Sequence, residues 1–104
     1  MVLLLVSCLK NDGLVLIEND SDKDIALVKL KICGQESMFE NIAKANSVQW
    51  SYTVSGDCNF DIFVHFVGGE KIAGQVGYVT TGADYKDKIV IKNSDIGFER
   101  LEVN

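Results

Sequence analysis

Ser47-Val48-Gln49-Trp50-Ser51-Tyr52-Thr53-Val54, followed across Ser55-Gly56-Asp57 by Cys58-Asn59-Phe60-Asp61-Ile62-Phe63-Val64-His65-Phe66, decides the fold class. Val48, Trp50, Tyr52 and Val54 alternate with Gln49, Ser51 and Thr53. Phe60, Ile62, Val64 and Phe66 then repeat the same period of two. Successive side chains of a strand point to opposite faces, so each run reads as a strand with one face buried. Trp50 and Val64 are expected in the core, and Phe63, out of phase, is expected outside it. Gly68-Gly69 follows as a two-residue hairpin turn, since both positions tolerate positive φ.

The pattern spreads outward from there. Ile25 to Ile32 places Ala26, Val28, Leu30 and Ile32 on one face and Lys29 and Lys31 on the other, and Gly34 ends that strand. Leu14 to Ile17 is a short apolar run, closed by the polar turn-formers Asn19 to Asp24. Residues 35–46 do not distinguish a short strand from a helical turn. Ile72 to Val79, Lys88 to Ile91 and Phe98 to Val103 complete the strands, with Thr80 to Asp87 as a loop. Short strands at regular spacing with turn signals throughout predict a sandwich or barrel. Helical periodicity never persists, which disfavours alternating βα units.

The chain has 104 residues, 47% hydrophobic and 24% charged, enough apolar surface for one folded domain over residues 9–104. The formal charge is −5 at pH 7, and no basic stripe is present, so nucleic-acid partners are not expected.

Met1-Val2-Leu3-Leu4-Leu5-Val6-Ser7-Cys8 is apolar up to Ser7, and Leu5-Val6-Ser7-Cys8 resembles the lipobox of bacterial lipoproteins. The resemblance implies lipidation of Cys8, a membrane contact through that lipid alone, and an envelope location; without it the chain reads as cytoplasmic. The apolar run is shorter than a secretory core and lacks a basic flank. The competing reading makes residues 1–8 a first strand, with Asn11-Asp12-Gly13 as its hairpin turn.

Ile17 through Asn19-Asp20-Ser21-Asp22-Lys23-Asp24-Ile25 to Gly34 resembles the opening strands of immunoglobulin-like adhesion and envelope modules. Gly74-Gln75-Val76-Gly77-Tyr78-Val79-Thr80-Thr81-Gly82 is similar to the tail of small bacterial lipoproteins without an assigned activity. These resemblances imply an all-β, immunoglobulin-like antiparallel β-sandwich of seven to eight short strands, and no catalytic residue.

Catalytic and ligand-binding chemistry finds little to work with. His65 is the one histidine, on a strand, with no nucleophile–base pairing in sequence. Asp20-x-Asp22-x-Asp24 imitates the start of a calcium loop, but Ile25 and Lys31 stand where the loop needs Gly and Glu. The cysteines lack a C-x-x-C pair, so no metal and no cofactor are expected. Cys33 and Cys58 are read as two buried thiols in preference to a bridge, which only an oxidising compartment would permit.

The expectation is therefore a non-enzymatic interaction module of the envelope that binds an unknown protein partner. Thr80, Thr81, Asp84 and Tyr85 are its expected contacts, because function concentrates in loops on a rigid scaffold. An immunity or inhibitor protein directed at a secreted toxin or hydrolase is the alternative.

Overall fold

A computed structural model describes residues 11–104. They form eight strands: β1 Asn11–Asn19, β2 Ile25–Ile32, β3 Gln35–Ile42, β4 Ser47–Val54, β5 Cys58–Phe66, β6 Lys71–Val79, β7 Tyr85–Ile91 and β8 Ile96–Val103. The strands make two four-stranded sheets, ordered β4-β1-β7-β8 and β3-β2-β5-β6. All neighbours are antiparallel except β1 and β7, which run parallel. This is the all-β sandwich that the alternating sequence predicts. The constant-type immunoglobulin order keeps its first two strands in one sheet. Here β1 and β2 lie in different sheets, so the likeness to that class lies in the two-layer architecture.

The core fills from the inward positions of both sheets. Val15 and Ile17 of β1, Val54 of β4, and Ile89 and Ile91 of β7 meet Val28, Leu30 and Ile32 of β2 and Phe60, Val64 and Phe66 of β5, all essentially fully buried. The predicted phases of β4 and β5 are those observed. Trp50 is only half-buried, because β4 is an edge strand, but it packs against the core and touches Tyr52 at 5.8 Å between ring centroids.

Several local readings differ from the expectation, each for an identifiable reason. Asn11-Asp12-Gly13 is not a turn. It is the start of β1, held by β4 on one side and, from Gly13 onward, by β7 on the other. Gly13 is required there because the Tyr52 ring crosses directly over it: a Cβ on Gly13 would fall 2.1 Å from Tyr52 Cζ. In β2 the register shifts between Ile25 and Leu27, which buries Ile25 in place of Ala26. The ambiguous segment 35–46 is strand β3 through Ile42, paired along β2.

The Gly68-Gly69 turn is one residue longer than predicted. The Gly69 N–H donates to the Phe66 carbonyl at 2.9 Å, and Phe66 and Glu70 close the pair, leaving a three-residue loop. Only Gly69 of the two has positive φ, at 100°, as a three-residue hairpin with a bulge requires.

The cysteine reading is corrected as well. Cys33 and Cys58 form a disulfide, with Cα atoms 5.4 Å apart. β2 and β5 are antiparallel neighbours, so the end of one meets the start of the other, an adjacency that sequence alone does not disclose. Cys33 also occupies, with Gly34, the two-residue turn between β2 and β3, both at positive φ. In the loop-entropy account a bridge spanning 25 residues stabilises the fold by about 3.5 kcal/mol.

Candidate functional site

The strand connections collect at two ends of the sandwich. One end carries the start of β1, the 33–34 turn with its disulfide, residues 55–57, the loop 80–84 and the chain terminus at Asn104. The other carries residues 20–24, 43–46, 67–70 and 92–95.

The four expected contact residues lie at the first end, but they do not share one exposed surface. Tyr85 is the first residue of β7 and points inward with 8% of its surface exposed, because its register against Gly13 sets it in the buried phase. Its hydroxyl accepts a hydrogen bond from the Thr80 N–H at 3.3 Å. Thr80 donates its hydroxyl to Asp57. The Asp84 carboxylate accepts from the Asp12 N–H at 2.9 Å and from Asn11 Nδ2 at 3.2 Å. Asn11 Oδ1 accepts from the Gly82 N–H at 2.9 Å, and the backbones of Asp84 and Asn104 exchange two hydrogen bonds. Of the four, only the Thr81 side chain is both exposed and outside this network of described residues. The loop is thus a staple that fastens the start of β1 to the chain terminus.

Behind the loop lies a polar pair that the sequence reading missed. Asp87 is fully buried and receives two hydrogen bonds from Arg100, from Nε at 2.7 Å and from Nη2 at 3.1 Å. Arg100 also donates to the Tyr78 carbonyl at 2.7 Å and stacks over the rings of Tyr85 and Phe98, 4.5 Å and 5.3 Å from their centroids. Such planar, forked pairing on aromatic faces is what guanidinium favours. The signal was available: Tyr85, Asp87, Ile89 and Ile91 share one strand phase, but the loop assignment hid it. Tyr52, alongside, has a buried hydroxyl without a hydrogen-bond partner among the described residues. Burial, and secondly the Asp87 carboxylate, push its pKa well above the usual phenol range.

The far end is cross-linked by charge. Lys23 meets Glu70 at 3.2 Å, Lys92 meets Asp20 at 3.3 Å, and Asn93 and Asp22 exchange two hydrogen bonds. Asp24 accepts from the Lys44 N–H at 3.1 Å. Asp20, Asp22 and Asp24 therefore point to separate partners. Among the described residues no three His, Cys, Asp or Glu groups assemble as a metal site. Beneath them the buried Asn19 amide joins the turn, donating to the carbonyls of Lys23 and Ile42 and accepting from Ser21. The Glu70 carboxyl is held below its ordinary range, first by its own backbone N–H and then by Lys23.

The outer face of the β3-β2-β5-β6 sheet carries a shallow hollow lined by Lys29, Lys31, Asp61, Phe63, Ala73 and Gly74. Phe63 is half-exposed there, as its phase predicts, and Gln75 Nε2 donates to Asp61 at 2.9 Å. His65 lies on this face, opposite Leu27 and Lys71. Cys8 lies outside the described residues.

No family model matches the chain, and no curated protein matches it by sequence. Among solved structures it is similar to a protein from Eubacterium rectale determined by NMR, with a TM-score of 0.62 and 18% identity over 88% of this chain and 90% of that one. At that identity the likeness is one of fold. It also aligns with a candidate cell adhesion protein from Bacteroides ovatus, with a TM-score of 0.49 and 12% identity, over 91% of this chain and 44% of that one.

Proposed function

We propose that this chain is a non-enzymatic interaction module of the bacterial cell envelope, held to a membrane by a lipid on Cys8 and engaging a protein partner. The observation that carries the reading is the Cys33–Cys58 disulfide. Structural disulfides belong to oxidising compartments, so the bridge favours export. It also accounts for two of the three cysteines and leaves as the odd one Cys8, at the end of Leu5-Val6-Ser7-Cys8. The ordered loops at the far end, stitched by ion pairs onto a rigid sandwich, are the kind of surface on which partners are recognised.

Metabolic labelling of the native organism with a radioactive fatty acid tests the anchor. The product is expected to carry label, and Cys8→Ser is expected to abolish it. An unlabelled product that retains Met1 would contradict the reading.

A further inference from the structure

We propose that, on the membrane, the domain stands with its 80–84 loop end against the bilayer surface and its 20–24, 43–46, 67–70 and 92–95 end turned away. The inference deepens the envelope reading and rests on the anchor at Cys8. Only three residue steps separate Cys8 from Asn11, so the lipidated residue lies within about 11 Å of the start of β1 at full extension. Asn11 is fixed. Its side chain accepts from the Gly82 N–H at 2.9 Å and donates to Asp84 at 3.2 Å, and the Asp12 N–H donates to the same carboxylate at 2.9 Å. β1 is also an interior strand, paired by β4 from Asn11 and by β7 from Gly13 onward, so the tether cannot peel away from the sheet cheaply. The anchor therefore leaves the domain at one defined corner, beside loop 80–84. Strands of seven to nine residues carry the opposite loops roughly 23–30 Å further out.

The short tether, and not charge attraction, holds this corner at the headgroup layer. Asp12, Asp57 and Asp84 stand there, and carboxylates are costly in hydrocarbon, so the corner stays outside the bilayer core. A partner would then meet the far loops and the outer sheet faces, and Thr80, Thr81 and Asp84 would be shielded. That moves the partner surface away from the loop to which the sequence reading assigned it.

The test couples the full chain, disulfide intact, through the Cys8 thiol to a maleimide lipid in phosphatidylcholine nanodiscs containing a gadolinium-chelating lipid headgroup. Amide signals of Gly82, Asp84 and Asn104 are expected to broaden strongly, and those of Lys44, Gly69 and Asn93 to broaden far less. Inserting ten Gly/Ser residues between Cys8 and Asn11 is expected to erase the difference. Equal broadening at both ends of the uninserted chain, or stronger broadening at Lys44 and Gly69, would overturn the proposed orientation. Because the lipid is attached chemically, that failure is distinct from an unlabelled product in the native organism, which would overturn the anchor itself.

Discussion

The two halves of the sandwich core are built on different principles. Toward the far end, Ile17, Ile25, Val28, Val64, Phe66, Ile89 and Ile91 fill the space with hydrocarbon alone, and the one polar group, Asn19, caps the end with all its hydrogen bonds made. Toward the 80–84 loop end the layer includes Gly13, Tyr52, Tyr85 and the Asp87–Arg100 pair. The first half is stabilised by area removed from water and by close packing. The second depends on geometry: a charge stays in the core only because one forked partner reaches it from the edge strand β8. Alternation of apolar residues specifies the first arrangement, while the second requires a particular residue at each of several positions.

The sharpest way to probe the apolar half is Phe66→Ala. Phe66 is fully buried, and its truncation leaves a cavity, so a loss of about 3–5 kcal/mol is expected in urea unfolding. A loss under about 1 kcal/mol would show that the far half repacks freely, which close packing does not allow.

In the polar half, Arg100→Met should cost about 3 kcal/mol, because it strands the buried Asp87 carboxylate. The double variant Asp87→Leu with Arg100→Met should recover most of that loss, since apolar residues of similar volume often replace a buried pair without penalty. Additive losses in this cycle, measured by denaturation, would mean that the pair is not coupled. The smallest effect is expected at Tyr52. Its hydroxyl is buried without a partner among the described residues, so Tyr52→Phe should be neutral or stabilise by up to about 1 kcal/mol. A clear destabilisation in thermal melts would reveal a hydrogen bond to that oxygen.

The same contrast explains what the sequence discloses. Phe60, Ile62, Val64 and Phe66 announce their strand and its phase because burial on one face demands period two. The Ile25 bulge, the Cys33-Gly34 turn and the extension of β1 back to Asn11 are tertiary in origin. Each depends on which strand lies alongside, and neighbours in a sheet are not written in local periodicity. Asp-Gly at positions 12 and 13 signals a turn in isolation, yet here glycine serves the Tyr52 ring that passes over it. The candidate surface was legible in part. Phase alone places Phe63 outside the core, whereas Tyr85 reads as a loop residue because β7 starts four residues before its first uninterrupted apolar run. The bridge between Cys33 and Cys58 follows from the β2–β5 pairing, which only the fold supplies.

One measurement reads both the Cys33–Cys58 bridge and the proposed anchor at Cys8. Protein isolated from native membranes is digested with trypsin without reduction and analysed by mass spectrometry. The account predicts that the peptide spanning residues 32–44 is joined to the peptide spanning 45–71 through Cys33 and Cys58, and that Cys8 carries a diacylglyceryl group. Recovery of both peptides with free thiols, together with an unmodified Cys8, would contradict it.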